Sequence, residues 1–189
     1  MKKYMIGLLV NNKYGVLTRI ASLIARRGYN IDTLTVGETV DPSISRMTIM
    51  ITGTDHDRDQ VIKQLRKLHD VHFVKEMAGS ASVCRELVLL KVAANKTTRQ
   101  EIIDAVNVFR NKIIDYSSES MTIEVTGETT KLDAFIELMK PYGILEMGRT
   151  GVVALKRGQE CLDGTDLKQL KKPKRSRKKI NIHRQSRWF

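Results

Sequence analysis

GLLVNNKYGVLTRIASLIARRGYNID, Gly7 to Asp32, sets an apolar run against a turn and an amphipathic helix, and that succession decides the fold. Leu8 to Val10 are apolar, and Asn11 to Gly15 carry turn chemistry. Val16, Ile20, Leu23 and Ile24 then recur at helical spacing until Gly28 stops the helix. A strand that feeds a helix through Asn-Lys-Tyr-Gly leaves the first backbone N–H groups of that helix directed at the loop, where a carboxylate can be held. The stretch reads as part of a small-ligand sensor.

The same architecture recurs further along. At an offset of 83, Asn12-Lys13 aligns with Asn95-Lys96, Arg27 with Arg110, and Ile31-Asp32 with Ile114-Asp115. MTIMITG from Met47 matches MTIEVTG from Met121 at an offset of 74, so the second copy has the shorter hairpin between its middle strands. Order shared across both halves indicates a duplication rather than chance likeness of apolar strands. One difference bears on function: Gly15 corresponds to Thr98.

Each half spells strand, helix, strand, strand, helix, strand. In the first, strands are expected near 3–10, 30–38, 45–52 and 71–76, with helices near 15–27 and 57–68. In the second, strands are expected near 86–94, 112–118, 121–126 and 144–155, the last broken at Gly148 or Gly151, with helices near 98–110 and 130–139. Met121, Ile123 and Val125 alternate with Thr122, Glu124 and Thr126, the mark of a strand with one buried face. The helices carry apolar stripes, Val61, Leu65 and Leu68 in one half and Leu132, Phe135 and Met139 in the other. The fold class is therefore α+β: two ferredoxin-like βαββαβ units, each an antiparallel sheet with helices on one face. Units of roughly 75 residues have thin cores and a bare sheet face, which favours a homodimer. The expected division is 1–77, a small polar linker at 78–85 containing AGSASV, a second domain at 86–158, and a basic tail at 159–189.

Charge is uneven. Of a formal net charge of +12, the stretch from Gly158 onward carries +7, with KKPKRSRKK at 171–179. A solvated, disordered tail is favoured over nucleic-acid binding for a segment with so few apolar residues. Lys2 and Lys3 precede an apolar run that ends at Asn11, too short for a signal-peptide core or a membrane span, which points to the cytoplasm. Cys84 and Cys161 lack paired spacing, so neither a disulfide framework nor a zinc site is expected. His56 in TDHDRD sits among first-turn acids of a helix, and His69 and His72 flank a strand; no metal site is expected. No dinucleotide fingerprint, Walker loop or nucleophile elbow is present, and no catalytic residue is assigned.

VNNKYGVLTRIASLIARRGYNIDTLTVGETVDPSISRMTIMITG, Val10 to Gly53, resembles the ACT domain of the regulatory (small) subunits of acetolactate synthase, also called acetohydroxyacid synthase. FRNKIIDYSSESMTIEVTG at 109–127 and KLDAFIELMKPYGILEMGRTGVVALKRG at 131–158 are similar to the C-terminal domain of those subunits. ARRGYNID, ISRMTI and GRTGVVAL are the sharpest parts; the likeness ends beyond Gln159.

The resemblance implies a non-catalytic subunit in valine, leucine and isoleucine synthesis. It would bind and activate a large catalytic subunit and confer feedback inhibition by valine or a related amino acid. Thiamine diphosphate, magnesium and FAD belong to that large subunit and none to this chain. The amino acid would lie at an interface between two ACT domains. Gly15 admits close backbone approach, and the N–H groups of Gly15, Val16 and Leu17 take the carboxylate. Asn12 and Asn30, from facing protomers, offer amide oxygens to the ammonium group, and Val16, Leu17 and Ile31 supply an apolar wall. The rival reading is a free-standing amino-acid sensor that binds nucleic acid through its tail.

Overall fold

The computed structural model describes residues 1–77 and 79–163. The first unit runs β1 (Lys2–Asn11), α1 (Val16–Ala25), β2 (Ile31–Glu38), β3 (Ile44–Gly53), α2 (Asp55–Leu65) and β4 (Val71–Glu76). The second runs β5 (Ser82–Ala93), α3 (Arg99–Val108), β6 (Lys112–Tyr116), β7 (Ser120–Gly127), α4 (Thr129–Met139), a 3-10 turn at Lys140–Tyr142, β8 (Ile144–Arg149) and β9 (Val153–Lys156). The sheets have the orders β2-β3-β1-β4 and β6-β7-β5-β8, with all pairings antiparallel. These are the same order twice, so the duplication read from sequence is a duplication of topology.

Period-two patterning builds each core. Tyr4, Ile6, Leu8 and Val10 of β1 point to the helix side and are buried, as are Met47, Ile49 and Ile51 of β3. Val16, Ile20 and Ile24 recur every four residues along α1 and close this core from above. Burying each such side chain contributes about 1.5–3 kcal/mol. Thr54 starts α2 with a reciprocal capping box to Asp57, which fixes the turn out of β3. In the second unit Val88, Leu90, Ile123 and Val125 meet Phe135 and Met139, and the Phe109 and Phe135 rings pack edge-to-face at 5.2 Å.

The linker and the tail boundary differ from the sequence reading. Ser82–Arg85 is not a loop: it extends β5 and pairs with β9, making a two-stranded ribbon that lies against the face of the first sheet opposite its helices. Met5 and Leu9 on that face pack with Met77, Cys84, Ala154 and Leu162. Gly7 between them lets Met77 and Leu162 come close, since a Cβ there would stand 3.1–3.3 Å from their side chains. Arg46 Nη2 donates to the Ala154 carbonyl at 2.6 Å, and Thr35 Oγ1 donates to the Thr150 carbonyl at 3.2 Å. The face expected to be bare is covered in part from within the chain, and Leu162, assigned to the tail, belongs to the fold. The break in the last strand falls at Thr150–Val152. There Gly151, at φ +82°, turns the chain beside Thr33 and Thr35, while Gly148 stays within β8. The rest of the basic tail, from residue 164, lies outside the described residues.

β8 is held by an ion pair that is buried at its carboxylate end and open to water at its arginine end. Arg149 Nε and Nη2 donate to the two carboxylate oxygens of Glu86 at 2.6 and 2.8 Å, and Nη1 donates to Asp133 of α4 at 2.9 Å. Hydrogen bonding to Glu86 raises the arginine pKa further above its ordinary value, so the charge is permanent. The Glu86 side chain is 1% exposed and that of Arg149 29%, which makes the two ends unequal. Arg149→Ala strands a buried carboxylate whose one remaining side-chain partner among the described residues is Thr129 Oγ1, at 3.3 Å, and should cost about 3 kcal/mol; Glu86→Ala frees a guanidinium that water can reach and should cost less. Urea unfolding of both variants checks this, and equal losses would contradict it.

Candidate functional site

The turn between β1 and α1 is fastened from two sides. Asn12 N–H donates to the Ser43 carbonyl at 2.7 Å, and its Nδ2 donates to Glu38 Oε1 at 3.0 Å and to the Pro42 carbonyl at 2.9 Å. These bonds tie the loop to the β2–β3 hairpin and leave Asn12 Oδ1 without a partner among the described residues. Asn11, one residue earlier, donates through Nδ2 to Asp70 Oδ1 at 3.1 Å, and His72 Nε2 lies 2.7 Å from Asn11 Oδ1. The Asp70 carboxyl is held below its usual range, first by the Asn11 bond and then by the charge of Arg19, whose Nη2 is 2.7 Å from Asp70 Oδ2.

Gly15 sits at φ +78°, ψ −7°, the left-handed region that a Cβ disfavours. It starts α1 with no side-chain cap and no acidic residue in the first turn. Val16 N–H reaches the Lys13 carbonyl at a long 3.4 Å, and Arg19 N–H bonds the Gly15 carbonyl at 2.9 Å. Among the described residues, the N–H groups of Gly15, Leu17 and Thr18 have no partner. Uncapped N–H groups at the positive end of a helix, beside an open amide oxygen, can receive a carboxylate and an ammonium group together.

The six residues singled out from sequence divide. Asn12, Gly15 and Leu17 stand together at the loop, with Leu17 exposed. Val16 is corrected: its side chain is 2% exposed and packs into the first core, because the Gly15 turn aims it at β1 and away from solvent. Its side chain therefore lines the core and not the solvent side of the loop. Asn30 and Ile31 lie at the other end of β2. Ile31 pairs with Ile51 while Glu38 pairs with Ser45, so the length of the strand, roughly 25 Å, separates Asn30 from Asn12. Asn30 Nδ2 donates to Asp32 Oδ1 at 3.0 Å, and its own oxygen is open; Ile31 is half-buried against the first core.

The matching loop of the second unit is filled. Asn95 Oδ1 accepts from the N–H and the hydroxyl of both Thr97 and Thr98, at 2.6–3.1 Å. Arg99 stacks 4.5 Å from the Tyr116 ring centroid and donates through Nη2 to the carbonyls of Ala94, Ser117 and Ser118. The space that stays open beside Gly15 is taken here by this chain's own groups.

A separate cavity of about 480 Å³ lies on the opposite face of the first sheet, lined by Leu9, Arg46, Phe73 and Leu162 among others, away from this loop. Among the described residues no group of three or more His, Cys, Asp or Glu could hold a metal, and no helix is long and apolar enough to cross a membrane.

Comparison with known proteins places both units. Residues 6–73 match the family model of the AHAS small subunit-like ACT domain, and residues 85–158 match that of the small subunit of acetolactate synthase. The chain is 48% identical over 153 residues to the acetolactate synthase small subunit of Mycolicibacterium smegmatis, covering 81% of this chain and 90% of that one. It is 48% identical over 158 residues to that of Aquifex aeolicus, covering 83% and 82%. The crystal structure of the acetolactate synthase small subunit of Thermotoga maritima superposes with a TM-score of 0.79 at 41% identity, over 84% of this chain and 99% of that one. With both repeats matched at such identity and over most of the relatives' length, this chain belongs to the acetolactate synthase small-subunit family.

Proposed function

We propose that the chain is the regulatory subunit that binds and activates a thiamine-diphosphate-dependent catalytic subunit in the cytoplasm and makes it subject to feedback inhibition by valine or another branched-chain amino acid. The single observation that carries the effector assignment is the left-handed Gly15 at an uncapped helix start, next to the open amide oxygen of Asn12. A carboxylate at the Gly15 and Leu17 N–H groups leaves the ammonium group facing Asn12 Oδ1, and the exposed Leu17 side chain beside the branched side chain. Val16 contributes through its backbone at most.

A second copy completes the site. β2 is an edge strand spanning residues 31–38. Two such edges paired antiparallel about a two-fold axis near Leu34 would bring Asn30 and Ile31 of one protomer to the Glu38 end of the other, where Asn12 is bound. The roughly 25 Å that separates the two asparagines within one chain is then removed by symmetry, and Ile31 joins the apolar wall. Thiamine diphosphate, magnesium and FAD are assigned to the catalytic subunit.

Reconstitution tests the reading. Adding this chain to the catalytic subunit should raise acetolactate formation, and adding valine should then lower it. No change in either step would overturn the assignment, and a nucleic acid that copurifies in place of a catalytic subunit would favour the free-standing sensor.

Gly15→Asp should keep activation and lose valine inhibition. A Cβ at φ +78° is strained, and the new carboxylate would occupy the place reserved for that of the effector, beside Arg19. Calorimetry should find valine affinity reduced roughly tenfold or more; unchanged binding would refute the site. By contrast, the double variant Asn95→Ala, Thr98→Ala should stay fully valine-sensitive with its fold intact, because the second loop is already filled. Loss of inhibition there would contradict the division of labour between the repeats.

A further inference from the structure

We propose that the cavity on the helix-free face of the first sheet binds a small carboxylic acid, with a compact apolar body and a single negative charge, whose carboxylate meets Arg46. The site stands apart from the Gly15 loop and holds whether or not that loop takes an effector. Strand register builds its floor. Leu9 of β1 pairs with Arg46 of β3 on one side and with Phe73 of β4 on the other, so the three side chains form a row across the face. The ribbon of β5 and β9 covers neighbouring Met5, and Leu162 borders the row. What stays open is about 480 Å³, walled by Leu9, Val40, Ile44, Phe73 and Leu162, a size ordinary for small-molecule sites. Val40 and Phe73 are exposed in it.

Two basic side chains reach this space. His72 directs Nε2 to Asn11 Oδ1, at 2.7 Å. Arg46 is half-buried: Nη2 donates to the Ala154 carbonyl, Nε is shut off from water with no acceptor among the described residues, and no ion pair among those residues includes Arg46. Burial pulls its pKa below the ordinary arginine value, as expected of a charge that has lost water without gaining an anion. The guanidinium charge is delocalised, so a carboxylate in the cavity is attracted to it although Nε itself is enclosed. Asp163, which has a partner of its own, lines the cavity as well, and a second carboxylate on the ligand would face it. A monoanion is the better match. Neighbouring strands lie about 4.8 Å apart, so Arg46 and Phe73 stand roughly 10 Å apart at the backbone. A carboxylate at Arg46 then lays a body of about four to six carbons over Leu9, with its end against the Phe73 ring.

Calorimetry and amide resonances of the intact chain with 4-methylpentanoate, 4-methylpentanamide and acetate test this. The first should bind saturably, about tenfold or more tightly than the amide, with acetate weaker than either, and should move the resonances of Leu9, Ile44, Arg46 and Phe73. Arg46→Gln keeps a donor for the Ala154 carbonyl and should bring the acid down to the level of the amide; Arg46→Lys should keep part of the preference. Phe73→Ala, at an exposed position, should weaken acid and amide alike, by about threefold or more. Circular dichroism reports whether each variant is folded. If Arg46→Gln unfolds, the salt dependence of the unmodified chain decides, because an acid preference held by Arg46 must fall as salt is raised and one that does not fall overturns the proposal. Equal binding of acid and amide, a folded Arg46→Gln chain that still prefers the acid, or shifts confined to residues outside the cavity overturn it as well. So does a cavity that takes no small acid and binds only an acidic peptide of the catalytic subunit.

Discussion

The left-handed backbone of Gly15 is the constraint on which the turn from β1 into α1, and with it the packing of the first unit, depends. It lets β1 turn into α1 within four residues, which brings the helix back over the sheet with Val16, Ile20 and Ile24 aimed into the core. The same turn leaves the helix start without a side-chain cap and exposes its N–H groups beside Asn12. One conformational choice thus sets both the packing of the helix and the exposure of its first N–H groups. The cost of uncapped N–H groups is tolerable at a solvent-facing loop, where water can satisfy them.

Duplication makes the role of that turn visible by contrast. Both units share strand order, helix placement and an Asn-Lys pair at the loop, yet their loops have opposite fates. In the first, Asn12 turns its amide nitrogen to the β2–β3 hairpin and keeps its oxygen open. In the second, Asn95 turns its oxygen inward onto Thr97 and Thr98, and Arg99 spans three carbonyls across the gap. The second unit has put its loop residues to structural use. Its β9, paired with the start of β5, covers part of the first sheet instead, and Arg46 of β3 reaches the Ala154 carbonyl there. The first sheet, to whose β2–β3 hairpin Asn12 is tied, thus touches the second unit through residues of ISRMTI and GRTGVVAL.

Much of the fold was legible because its signals are local. The period-two runs of β1, β3 and β7, the helical stripes and the turn at Gly15 are each set by neighbours within a few residues, and the repeat gave the topology twice. What escaped depends on distant partners. Ser82–Arg85 looks like a linker because AGSASV is small and polar, and only pairing with β9, some seventy residues on, makes it a strand. Leu162 looked like part of a solvated tail until Gly7 and Met77 made room for it. At the β1–α1 loop, the placing of Asn12, Gly15 and Leu17 together was readable from turn and helix-start chemistry. Val16 was misplaced because a helix stripe tells which residues share a face without saying that the first of them faces the core.

Backbone amide resonances of the intact chain, followed while valine is titrated in, test the central claim most directly. The account predicts saturable shifts at the N–H groups of Gly15, Leu17 and Thr18 and at the side chain of Asn12, with Asn95 to Arg99 unmoved. Shifts confined to the second loop, or saturable binding that leaves Gly15 and Leu17 untouched, would contradict it.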